Sequence, residues 1–265
     1  MAGARRSGRG GLPRLRPEKW QEHSSWVAPH FWAGETDNYL AATQTWVVRS
    51  TGRVILVDTG LGNHKERSHM PAWTHLETDF IDRLAAEGVR PEDVDVVVNT
   101  HVHADHVGWN TTLRDREWVP TFPNATCLIH RDDFEYWNRR NGVPKRGRHR
   151  GCQRRRRQRA DVEDSIDPVH RAGQTLLWES SHHIDGNLQL EPAPGRTPGS
   201  AVLHLRSGTE WALFVGDLLR TPLQILEPHV DTCLSEDQRA AAKSRRRVLE
   251  YAADTNALLG PPKPP

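Results

Sequence analysis

At 265 residues the chain is long enough to bury a substantial core, as one large domain or two small ones. A formal net charge of +2 excludes a body-wide field for acidic partners, and no run approaches the roughly 20 apolar residues of a membrane helix. Three scattered cysteines (Cys127, Cys152, Cys233) lack the paired spacing of a zinc module or a disulfide framework, so a reducing, cytoplasmic setting is expected.

Residues 1–22 are basic and rich in glycine and proline, and read as a disordered tail without the apolar stretch of a secretory signal. Residues 23–265 read as the folded domain. Trp46-Val47-Val48 and Val54-Ile55-Leu56-Val57 flank Ser50-Thr51-Gly52 as a hairpin does, and the second run ends in Asp58-Thr59-Gly60. Phe80, Ile81, Leu84 and Ala85 keep helical spacing, and Gly88 stops that helix. Between Asp93 and Asn99, Val94-Asp95-Val96-Val97-Val98 is an almost fully apolar run, as in a strand buried on both faces.

Further strands are expected at Ala125 to His130, Ala201 to Leu205 and Trp211 to Val215, with a hairpin from Ile184 to Leu190. Helices are expected from Asp132 to Arg140 and from about Glu236 to Ala253. Between them, 141–160 crowds Lys145, Arg146, Arg148, Arg150, Arg154, Arg155, Arg156, Arg157 and Arg159 into a stretch without apolar period, which reads as a solvated, mobile insertion.

The chemistry begins directly after the buried strand. His101-Val102-His103-Ala104-Asp105-His106 holds three imidazoles and a carboxylate within six residues. In extended chain, His-x-His puts both rings on one side of the backbone. Imidazole and carboxylate at this density suit zinc or a similar divalent ion. The alternative is a polar loop that happens to be rich in histidine, but its place at the end of an apolar strand favours ligation.

The stretch from Thr100 to Asn110 resembles the signature of the metallo-β-lactamase superfamily, as do Val57-Asp58-Thr59-Gly60 and Phe214-Val215-Gly216-Asp217. Gly60-Leu61-Gly62-Asn63 and Val107-Gly108-Trp109-Asn110 are similar to the branch of quorum-quenching lactonases and methyl parathion hydrolase-like enzymes. The resemblance implies an α/β fold, the four-layer αββα sandwich. It implies one metal on His101 and His103, a second on Asp105 and His106, and Asp217 shared between them. Asp58 would orient the ligands, and Asp105 would also carry the catalytic proton.

Two positions depart from that pattern. Where the family has a further histidine, Gly195-Arg196-Thr197-Pro198-Gly199-Ser200 offers Arg196, a guanidinium without a lone pair. The family's last histidine has no counterpart in Ala257 to Lys263. His182, His183 and His204 are candidate replacements, although an ordinary surface or core role fits each better. Trp32, Trp109, Trp118 and Trp137 are candidates for cleft walls or for the core.

The expected function is metal-dependent hydrolysis of a lactone, ester or related small molecule, with one or two zinc or other divalent ions as cofactor. A catalytically degenerate member of the family is the alternative. Nucleic-acid binding through the arginine run is disfavoured, since no aromatic residues are interleaved for stacking. Nothing in the composition marks an oligomeric state.

Overall fold

The computed structural model describes residues 4–8, 17–36, 38–68, 70–138, 159–232 and 234–260. It divides into two compact units, 45–180 and, in the other, 1–44 with 181–265.

The unit 45–180 is built on a five-stranded sheet. Its order is Thr175–Trp178, Thr126–His130, Val96–Val98, Arg53–Val57 and Trp46–Ser50, all parallel except the last pair. That pair is the expected hairpin. Leu56, Val97 and Cys127 from three neighbouring strands pack with Leu84 of the helix Phe80–Ala86 and with Val169. Farther along the same face, Ile129 packs with Trp137, Val162 and Ile166 from the following helices. Val96, Val97 and Val98 are all buried, as an uninterrupted apolar strand requires.

The other unit has a five-stranded sheet ordered His182–His183, Leu188–Pro192, Ala201–Ser207, Glu210–Phe214 and Leu258–Gly260. Pairing is antiparallel except for the last strand. The helix Gln238–Thr255 covers one face, where Val248 and Ala252 meet Val202 and Leu213. Its start is fixed by Asp237, whose side chain accepts from the N–H groups of Arg239 and Ala240.

Several expectations need correction. The tail is ordered in part, because Pro17–Glu22 is helical and buries Trp20 among Val27, Trp32, Leu223 and Val230. Ala4–Gly8 also pairs antiparallel with Asn38–Ala42. A single tryptophan supplies apolar surface that the tail's overall composition hides. The helix expected from Asp132 to Arg140 is Arg131–Trp137, started by the His130 ring accepting from the Asp132 N–H. Residues 141–158 of the expected insertion lie outside the described residues, and its last two open the helix Arg159–Ser165. The segment beyond Ala257 contains the strand Leu258–Gly260, parallel to Ala212–Phe214. Among the described residues, no helix is long and apolar enough to cross a membrane.

Candidate metal centre

The strands Arg53–Val57 and Val96–Val98 run parallel, so both end at the same sheet edge, where α/β proteins gather ligands. Asp58 follows the first and Asn99-Thr100-His101 the second. Asp58 adopts a left-handed φ of 56°, which a short polar side chain tolerates. Its carboxylate then accepts the Thr100 N–H at Oδ1 (2.8 Å) and the Thr100 hydroxyl at Oδ2 (2.8 Å).

The histidine loop is laced to the Asp58 loop along its length. Thr59 N–H donates to the His106 carbonyl (2.7 Å), and Gly108 N–H to that of Gly60 (2.7 Å). Thr59 Oγ1 reaches Asn110 Oδ1 at 2.8 Å, while Asn110 Nδ2 donates to Asn99 Oδ1 at 3.0 Å. Only glycine fits at 108, because a Cβ there would lie 1.9 Å from the Leu61 carbonyl carbon. From the helix side, Asp133 Oδ2 accepts the Val102 N–H at 2.8 Å.

Those constraints bring three imidazoles together. His101, His103 and His106 are buried. The His101 ring centroid lies 4.6 Å from that of His103 and 4.0 Å from that of His106. His106 Nδ1 sits 2.7 Å from Asp58 Oδ2, so it carries the proton and Nε2 keeps the lone pair. Because the Thr100 hydroxyl donates to Asp58, it accepts from His101 Nδ1 at 3.2 Å, and again Nε2 keeps the lone pair. Asp105 Oδ2 lies 3.8 Å from His106 Nε2, on that ligating side. Neutral imidazoles braced by a carboxylate and a hydroxyl are the donor chemistry a divalent ion requires, and these residues fit one.

Asp217 belongs to the other unit, in the turn Gly216–Leu218 after the strand Glu210–Phe214. Its Oδ2 receives Arg196 Nη2 at 2.7 Å and also Arg220 Nη1. Arg196, which has no lone pair to offer a metal, is therefore a buried partner of the carboxylate. Arg220 escaped the sequence reading; its one signal was a basic residue three positions after Asp217.

The proposed substitutes have other roles. His204 faces Tyr251 (5.0 Å between centroids) and Glu191 (3.5 Å), and burial pulls its pKa below the usual histidine value. His182 is half-buried and His183 exposed on their edge strand. Trp109 stacks on Phe80, Trp137 and Trp32 are buried in apolar clusters, and Trp118 lies under the Lys65 ammonium.

A model of the metallo-beta-lactamase superfamily matches residues 39–261. Metallo-beta-lactamase domain-containing protein 1 of Mus musculus is 33% identical over 111 residues, which is 40% of this chain and 35% of that protein. N-acyl homoserine lactonase AttM of Azorhizobium caulinodans is 29% identical over 134 residues, 48% of this chain and 42% of that protein. The chain thus matches about a third to two fifths of the length of these curated relatives. A probable metal-dependent hydrolase from Staphylococcus aureus superposes with a TM-score of 0.77 at 16% identity, covering 99% of this chain and 86% of that one. AidC, a dizinc quorum-quenching lactonase, does so with 0.70 at 19%, covering 99% and 85%. Identities this low show a shared fold.

Proposed function

We propose that this chain, which belongs to the metallo-β-lactamase superfamily and has its fold, is a metal-dependent hydrolase of lactones, esters or related small molecules. One observation carries the reading: three buried imidazoles gather at the carboxyl ends of two parallel strands, and Asp58 and Thr100 set the tautomers of two of them, His106 and His101. Histidines without a ligand to hold have no reason to be assembled this way in a packed loop.

In this proposal His101, His103 and His106 hold the ion, with Asp105 and Asp217 as carboxylate ligands and zinc as the first choice of metal. When bound, such an ion supplies Lewis acidity and makes water a nucleophile at neutral pH. Asp58 fixes the His106 ring by accepting at Oδ2 from its Nδ1. Asp105 carries a proton to the leaving oxygen of the substrate, a task that suits a carboxylate on the ligating side of His106. The branch resemblance and the lactonase names of several relatives support a lactone. A reducing, cytoplasmic setting suits Cys127, a buried free thiol whose pKa burial pushes up to about 12.

A catalytically degenerate role is not favoured, because the bracing around the imidazoles is intact although two of the family's histidines are absent. The test uses purified protein stripped by chelator and reloaded with zinc, assayed on N-acyl homoserine lactones, simple lactones and aryl esters. Turnover should follow the metal and vanish in H101A/H103A. Metal-loaded protein inert towards all three classes would sink the proposal.

A further inference from the structure

A carboxylate shared by two metal ions lends an oxygen to each. Asp217 already lends Oδ2 to two guanidinium groups, those of Arg196 and Arg220. Both stay protonated in a protein and accept no coordination. The pair is shielded, since the side chains of Arg196 and Asp217 are each 4% exposed and that of Arg220 is 18% exposed.

Neither arginine is placed by its ion pair alone. Around Arg196, Glu236 N–H donates to its carbonyl (3.1 Å) and Asp237 N–H to that of Gly195 (2.9 Å). A Cβ on Gly195 would lie 2.0 Å from the Ala241 nitrogen, so this loop is pressed onto the helix start as only glycine allows. Arg196 Nη1 also reaches Thr232 Oγ1 at 3.3 Å. The Arg220 N–H donates to Gln224 Oε1 (2.8 Å), and the buried Gln224 is itself fixed by the Val230 carbonyl at 2.9 Å. The backbone at both arginines is thus fixed, and the Thr232 hydroxyl also holds the Arg196 guanidinium beside Asp217.

We infer that Arg196 and Arg220 stand on Asp217 in place of a second cation, and that the chain holds one metal ion where a shared carboxylate would hold two. This inference rests on the metal-dependent reading above. Asp217 then gives at most Oδ1 to the ion, and the positive charge on Oδ2 is covalently part of the protein and survives chelation.

The test counts metal per chain after equilibration with zinc and, separately, with cobalt, whose optical and EPR spectra distinguish an isolated ion from a coupled pair. One ion with an isolated spectrum is expected. R196K should also hold one, because the ammonium keeps the charge, whereas R196H/R220A, checked for folding by circular dichroism, should take up a second. Two ions in the unaltered chain or in R196K would overturn the inference while leaving the metal reading standing. A folded R196H/R220A that stays at one ion would overturn it too. Should R196H/R220A fail to fold, the counts on the unaltered chain and R196K decide. No ion above the level of H101A/H103A would instead remove the metal reading itself.

Discussion

Two carboxylates, one in each unit, hold a pair of cationic side chains apiece, and they do so differently. Asp164 spreads the charge. Arg67 forks onto both oxygens (2.6 and 3.0 Å), and Lys65 binds the Asp164 carbonyl at 3.0 Å and Oδ1 at 3.4 Å. Lys65 also reaches Thr111 Oγ1 at 2.8 Å and lies 3.8 Å from the centroid of the Trp118 ring. Asp217 meets the guanidiniums of both Arg196 and Arg220 at Oδ2. The first arrangement fastens the helix Arg159–Ser165 to the loop beyond Gly62, and the neutral acceptors share the load. The second joins the Arg196 loop and Arg220 to the turn that carries Asp217, and by the inference above the arginines take the place of a cation.

The sharpest way to break this comparison is to neutralise each carboxylate in turn. D164N leaves two buried cations short of a counter-charge and should cost about 3–5 kcal/mol in urea unfolding, with metal content unchanged. D217N should cost about as much, and in addition weaken metal binding. A D217N protein with unaltered metal affinity would show that Asp217 serves only the arginines.

H103A should lower metal affinity by more than about 100-fold, beyond the range for groups that merely brace a ligand. D58N removes the acceptor that fixes His106 and should lower it by about 10–100-fold, measured by competition with a chromophoric chelator. The smallest effect is expected for D237A. Losing the cap of Gln238–Thr255 should cost about 1 kcal/mol and leave the metal count alone, which would separate the stability of the Arg196 loop from its charge.

Much of the fold was legible because it is local. The two β-rich runs around Ser50-Thr51-Gly52 marked a hairpin, and the apolar run before the histidines marked a strand buried on both faces. The imidazole cluster was legible for the same reason, since its three rings and Asp105 lie within six residues. Asp58 was found through the family's pattern, although its partner His106 is 48 residues away. Nothing local in the sequence marks Lys65 and Arg67, yet both are fully buried, and the carboxylate that compensates them lies 97–99 residues further on.

The sequence by itself determined the strand that delivers the histidines, the donor types at its end, and the loss of two expected ligands. Only the tertiary structure decided the tautomers of His101 and His106 and the carboxylate partner of Arg196 and Arg220. The reason is range. Periodicity and motif spacing register forces between near neighbours, whereas the state of a buried charge depends on groups that only folding brings within a few ångströms.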